Sequence, residues 1–388
     1  MIARTNYCLV NWMASGEAMK TLVIGGSGST GVPVLEGLLR RGHDVTMLHR
    51  GVHEPDGLPD VPHIHADPHF PDTLTEAIGG TQYDLVLAMY GRVATIAEVF
   101  AGRCGHLISI GGVPAYRGCL QAAKVHPYGM AINAREDGPL SDGTEPVPKF
   151  AKLIRAAERA VLDRAEAGAY RGTVIRYPAI YGPRNLVPWE WSVMRRVRDG
   201  RRRMILPDNG LWIISRCACR NAAEVVLGAV DHPDVANGQA YNAADDDQFT
   251  VRQWAEAVVD IMGAELEFVG IPREMAPSAL IELLPPSGDP HILLDNNKAK
   301  RELGYAEVVP AHVAMVEAVE WLTANPVTPA DYPLYPARFE YDAEDRLIDA
   351  YRRVVEWVRE QAPDEAPDVR HPMPHPKTVS VGRDEGGR

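Results

Sequence analysis

Several clusters in the 388-residue chain have the residue types and spacing to do chemistry. The first is the stretch "GGSGSTG", residues 25 to 31. Gly25, Gly28 and Gly31 form the pattern G-x-x-G-x-x-G, with Gly26 as an extra. Glycines so spaced after a strand serve steric ends. One makes a tight turn, one lets the backbone approach a pyrophosphate, and one lets the following helix pack on the strand. Phosphates then rest on free N–H groups at the helix start. Gly25, Gly28, Ser29, Thr30 and Gly31 are therefore expected to hold the phosphates of a dinucleotide. The second cluster is "LHRG", at the end of the next apolar run. An NAD site usually carries Asp or Glu there, bonded to the ribose 2′-OH. Arg50 instead offers a fork of donors to a 2′-phosphate, with His49 beside it. NADP(H) is expected in preference to NAD(H).

Two further clusters are more ambiguous. "HIHADPH" sets His63, His65, Asp67 and His69 at alternate positions. A strand would bring all of them to one face, a spacing that suits a metal ion. The plainer reading is a strand edge, and no metal is expected. Cys217-x-Cys219 has no second pair nearby, which argues against zinc there as well. "RRVRDGRRR", from Arg195 to Arg203, is densely basic, and Trp189 and Trp191 stand just before it. It reads either as a solvated helix end or as a clamp for an anionic substrate group. On the second reading Trp189 and Trp191 stack on a planar substrate and Arg195 holds its charge.

These residues need elements to position them. "TLVIGG" is a short continuous apolar run, as in a parallel strand covered on both faces. Apolar residues at helical spacing follow from Thr30 to Arg41, and Gly42 marks a stop. "HDVTMLHR", "VPHIHAD", "YDLVLAMY" and "GHLISIGG" supply further strands, with a short helix in "FPDTLTEAIGG". Strands alternating with helices predict a parallel, doubly wound sheet. A long irregular segment, Val113 to Pro148, precedes a strong amphipathic helix from Phe150 to Ala167. "GTVIRYPAIYGPRN" is a sixth strand running into a turn. The alternation then breaks into helices, the last in "AEDRLIDAYRRVVEWVREQ".

Bulk properties narrow the function. The formal net charge of −12 disfavours nucleic acid and anionic membranes, which need a positive field. No apolar run reaches transmembrane length. Five scattered cysteines, Cys8, Cys104, Cys119, Cys217 and Cys219, suggest reduced thiols in a cytoplasmic protein. The first residues form a poor signal peptide and read as a non-secretory extension, with Met19 as a plausible start.

The chain resembles the extended short-chain dehydrogenase/reductases, also called NAD-dependent epimerase/dehydratases. The resemblance rests on "GGSGSTG", Asp67 after the third strand, "HLISIGG", "AAERAVL" and "RYPAIYGPRN", and it covers about residues 20 to 326. It implies an α/β fold: a Rossmann-type doubly wound parallel sheet with a smaller C-terminal α/β substrate lobe. The expected division is an extension over 1–18, the nucleotide-binding domain over 19–183, and a partly interleaved substrate lobe over 184–330. A C-terminal extension with a helix follows over 331–361, and a disordered tail over 362–388. The resemblance further implies that Asp67 contacts the adenine and that Ala88, Met89 and Tyr90 line the cofactor. Tyr177, Pro178 and Ile180 lie near the nicotinamide, and the helix holding Phe150 forms a homodimer.

The family's catalytic pattern is missing. Members usually carry a Ser or Thr past the fifth strand and Tyr-x-x-x-Lys on the following helix. Anchored on "AAERAVL", these positions are Gly111, Phe150 and Ile154, all inert. Lys152 sits two residues off, a rotation of about 200° around the helix. Lys149 is one residue before Phe150 and is within reach of the cleft. Substitutes must come from elsewhere: Ser109 on the fifth strand, Tyr116 just beyond it, or Tyr128 in the irregular segment, where Lys124, Glu136 and Asp137 also lie. The expected function is oxidoreduction, or epimerase/dehydratase-like chemistry, on a small organic substrate. The alternatives are a nucleotide-binding regulator that lost the chemistry and a non-redox lyase or isomerase.

Overall fold

A computed structural model of the chain describes residues 18–52, 57–142, 148–281, 291–328 and 339–361. Most of the expected N-terminal extension, and the tail over 362–388, lie outside them. The chain falls into two compact units that divide between Phe339 and Glu340.

In the first unit the glycine turn lies between β1 (Lys20–Ile24) and α1 (Gly31–Arg40). β2 (Asp44–His49), β3 (His63–His65), α2 (Pro71–Ile78), β4 (Tyr83–Ala88), α3 (Val93–Val99) and β5 (Cys104–Gly112) follow. After the irregular segment come α4 (Lys149–Glu166), β6 (Arg171–Tyr177) and β7 (Ala179–Tyr181). The remainder runs α5 (Glu190–Arg198), β8 (Arg203–Pro207), β9 (Arg216–Ala218), α6 (Cys219–Asp231), α7 (Pro233–Ala236) and β10 (Gln239–Asn242). It closes with α8 (Val251–Ile261), β11 (Glu267–Ile271), α9 (Pro277–Ile281), α10 (Asn297–Leu303) and α11 (Ala311–Ala324). The second unit holds α12 (Tyr341–Gln361), the last helix expected from the sequence.

The main sheet has the order β10-β6-β5-β4-β1-β2-β3, and every pairing is parallel. Alternation sends successive side chains to opposite faces. Leu22 and Ile24 join Leu74, Ile96 and Val161 from α2, α3 and α4 on one side. Val23 joins Leu35 and Leu38 of α1 and Val226 and Leu227 of α6 on the other. A second lobe packs α5, β8, α8 and α11 around Trp191, Met204, Val258 and Leu322.

Two features add to the expectation. α3 was not foreseen; it has seven residues, too few for a clear period. The second is how residues 184–330, expected to be partly interleaved with the nucleotide-binding domain, return to it: β10 pairs with β6, Gln239 opposite Thr173, and α6 packs on α1.

Candidate functional site

β1 pairs with both β2 and β4, so the strand order reverses at its end. In doubly wound sheets the crevice outside the carboxyl ends at this switch point holds the ligand. The glycine turn sits there. The Gly25 N–H donates to the Leu48 carbonyl at 2.8 Å, and the Met89 N–H to the Ile24 carbonyl at 2.9 Å. Gly25 has φ +97°, and a Cβ on it would lie 2.8 Å from the Tyr90 Cβ. A Cβ on Gly31 would lie 2.1 Å from the Gly26 carbonyl oxygen. Gly26, an extra in the sequence pattern, is thus the surface against which α1 starts. Around Gly28 nothing lies within 4 Å of a Cβ position.

This cradle suits a pyrophosphate. The Thr30 side chain makes no capping bond, and the first turn of α1 has no acidic residue, so the helix start keeps its donors for an anion. The Tyr177 hydroxyl is buried toward Thr30 with no hydrogen-bond partner, and burial pushes its pKa well up. Buried polar groups are normally paired, so an orphan here marks a place for a polar ligand atom. These observations together fit a dinucleotide. Ala88 is fully buried and offers only backbone; Met89, Pro178 and Ile180 are half-buried.

The ends of β2, β3 and β4 assemble a rim. The Arg50 guanidinium lies 5.3 Å from the Tyr90 ring centre, and that ring meets His69 edge-on at 5.1 Å. His69 bonds Asp67 through Nδ1 at 2.7 Å and through its N–H at 3.0 Å. The backbone bond first, then the side chain, hold the Asp67 carboxyl below its usual range. Arg50 is exposed. His49 departs from its expected role. It is 5% exposed, its Nδ1 accepts the Gly51 N–H, and its Nε2 meets His63 Nδ1 at 3.0 Å.

A buried ion network packs against Gly111, the first of the three inert positions. Glu158 is 1% exposed and grips Arg176 in a fork, at 2.9 Å from Nε and 3.1 Å from Nη2. Arg155 also bonds Glu158 and reaches outward to Asp142. Arg176 Nη1 donates to the Tyr116 hydroxyl at 3.0 Å, which donates to Asn242 Oδ1 at 2.7 Å. A Cβ on Gly111 would lie 3.1 Å from Glu158 Oε1, so the position of the family's Ser/Thr is glycine where this carboxylate packs.

That network claims one of the candidate acid/base residues. Tyr116 is 1% exposed, and burial pushes its phenol up to about 12. Ser109 is likewise buried, in the ladder between Ala88 and Val174. Both are enclosed, contrary to the role expected of them. Tyr128 is exposed and lines a cavity of about 270 Å³ with Arg117, Met130 and Pro139. Lys149, Phe150 and Lys152 stand exposed at the start of α4, and Ile154 is half-buried.

Among the expected substrate residues, one needs correction. Trp191 is 2% exposed in the core of the second lobe, so it offers no stacking face. Arg195 pairs with Asp199 one turn on, at 2.7 Å, and lies over Phe339. Trp189 remains half-buried. Helical spacing brings Trp191 to the apolar face of α5, and a sequence window cannot tell that face from a platform.

Beside Trp191, Glu190 is buried near Arg216. Burial pushes its carboxyl up to about 7 from an ordinary 4.5, although Arg216 pulls the other way. A raised carboxyl pKa favours the folded state at low pH, and that contribution is lost as pH rises through the folded value. Between about 4.5 and about 7 the native chain should therefore lose stability relative to Glu190→Gln. Parallel denaturant curves across that window that keep a constant spacing would refute this.

A parallel sheet of this order, with a glycine turn at its reversal and a second lobe beyond it, is the fold of the extended short-chain dehydrogenase/reductases. Solved structures share it. A UDP-glucose 4-epimerase from Thermotoga maritima, with UDP-glucose, matches at TM-score 0.63 and 16% identity, over 79% of this chain and 99% of its own. A dTDP-glucose 4,6-dehydratase from Streptomyces venezuelae, with NAD bound, matches at TM-score 0.60 and 17% identity, over 79% and 98%. By sequence the chain is similar to two reductases. One is the 4-hydroxy-2-methyl-3-oxo-4-farnesyl-3,4-dihydroquinoline-1-oxide ketoreductase of Stigmatella aurantiaca, 24% identical over 74% of this chain and 92% of that protein. The other is a 3-diazoavenalumate denitrifying reductase from Streptomyces, 25% identical over 68% and 87%. No protein-family model matches the chain. Among the described residues no helix is long and apolar enough to cross a membrane.

Proposed function

We propose that the chain is a nicotinamide-dependent oxidoreductase that takes NADP(H) in preference to NAD(H) and acts on a small organic substrate. The observation that carries this is the cradle at Gly28, open above the backbone and bordered by the orphaned Tyr177 hydroxyl. Both sequence relatives are named as reductases, which favours reduction over epimerisation. A bound nicotinamide would supply the hydride. The protein's part is to seat the pyrophosphate on α1, fix the 2′-phosphate with Arg50, and deliver a proton. With Tyr116 and Ser109 enclosed, that proton comes from Tyr128, Lys149 or water. The four described cysteines are buried, and a cytoplasmic location stays part of this proposal. Exposed Phe150 and Leu153 on α4 offer an apolar surface for a homodimer.

A second reading is a nucleotide-binding regulator, favoured by Gly111, Phe150 and Ile154 at the catalytic positions. Calorimetric titration with NADPH and NADH, on the native chain and Arg50→Ala, tests the common ground. NADPH should bind more tightly, and Arg50→Ala should weaken it by about 1.5–3 kcal/mol, the range for a hydrogen bond to a charged group, while leaving NADH nearly unchanged. Equal affinities in both proteins would remove Arg50 from the site. Consumption of bound NADPH against a panel of ketones then separates enzyme from regulator.

A further inference from the structure

The strongest unassigned feature is at the outer edge of the sheet. β3 is the edge strand, and its register sets His65 opposite His49 and His63 opposite Met47. His63 and His65 are two residues apart, so they share a face. The three imidazoles meet edge to face: His49 lies 4.9 Å from each of the others, centre to centre, and His63 lies 6.3 Å from His65. One nitrogen from each lies within 4.8 Å of the other two.

We propose that His49, His63 and His65 form a binding site for a zinc-class divalent cation. Three imidazoles around tetrahedral zinc hold their nitrogens about 3.4 Å apart, from bonds of roughly 2.0–2.1 Å. His49 Nε2 and His63 Nδ1 are already 3.0 Å apart, and His65 needs only a small side-chain turn. The cation replaces the proton now shared between those two nitrogens. His49 then carries its proton on Nδ1, so the Gly51 N–H that faces it must turn away. Gly51 is exposed, lies beyond the end of β2 at His49, and as a glycine can adopt either sign of φ. An all-imidazole set selects zinc, copper or nickel over magnesium or calcium. His63 and His65 are exposed, so a cation can reach the site from solvent.

This set differs from the one that the sequence pattern offered. Asp67 and His69 are bound to each other, and His69 meets Tyr90. The third ligand instead comes from the neighbouring strand, through a pairing that no window of sequence displays. The site stands on its own geometry and does not depend on the nucleotide reading.

The test uses tag-free, full-length protein titrated with Zn²⁺ against a chromophoric chelator, and with Co²⁺ followed in the visible. The native chain should take up stoichiometric Zn²⁺, and its Co²⁺ form should show the intense bands of a tetrahedral site. His63→Ala and His65→Ala should each weaken binding at least about tenfold. The double variant should lose the tetrahedral spectrum. His312→Ala, on an exposed position of α11, should bind as the native chain does. Both tested histidines are exposed on a short edge strand, so the variants should fold, and circular dichroism checks this. Absence of stoichiometric uptake would overturn the proposal, as would unchanged binding in a folded double variant.

Discussion

Replacing Glu158 by alanine should destabilise the fold by about 3–5 kcal/mol, the penalty for leaving a buried charge without its partner. Glu158 is 1% exposed and is the anion between Arg155 and Arg176, themselves 6% and 2% exposed. Burial alone pulls the Arg176 guanidinium down, but the bonds to Glu158 more than offset this and leave its pKa raised. Without the carboxylate, Arg176 keeps a neutral phenol and the Glu136 carbonyl as partners. Arg155 keeps Asp142 and suffers less. Denaturant midpoints at neutral pH measure the loss. A double variant, Glu158→Leu with Arg176→Met, should recover much of it, because well-packed apolar pairs often replace buried ion pairs at little penalty. A loss below about 1 kcal/mol in the single variant would mean that the network is not what holds α4 to β6.

The second large effect concerns the glycine turn and separates shape from binding. Gly31→Ala drives a methyl to 2.1 Å from the Gly26 carbonyl oxygen, which is backbone and cannot swing aside. The turn must open or α1 must shift, and NADPH affinity should fall beyond detection with a loss of stability of about 1–3 kcal/mol. Gly28→Ala meets nothing within 4 Å. Its thermal midpoint should match the native chain, while its NADPH affinity falls at least about tenfold, because the methyl occupies the phosphate's place. Thermal melts with and without nucleotide read both. If Gly28→Ala binds NADPH normally, the cradle does not hold the pyrophosphate.

What the sequence made legible was local. The β1–turn–α1–β2 unit, β4, β5 and α4 each carry their period within a few residues, and each stands within a residue or two of its expected place. Arg50, Asp67 and Tyr90 were chosen from separate strand ends and meet at one rim, because parallel strands deliver their ends to the same edge. What stayed hidden depends on pairing across the chain. Tyr116 has the type and position of an acid/base residue, yet its hydroxyl is claimed by Arg176 and Asn242, far along the chain. His49 was read toward the ligand but turns to β3, because strand register decides which way it points. The glycine at 111 looked like a loss. It is the space that Glu158 needs.

The placement of β10 bears on how the polypeptide emerges during synthesis. When residues 19–183 have left the ribosome, β6 is a bare edge and the Tyr116 hydroxyl lacks the amide of Asn242. Exposed edges recruit other strands, so this nascent stage invites mispairing. Only after the chain has passed through β7, α5, β8, β9, α6 and α7 does β10 arrive to close it. The nucleotide half should therefore mature late, after α5 and β8 of its partner lobe have been made, and a truncation at 183 should yield aggregate in place of a free-standing module.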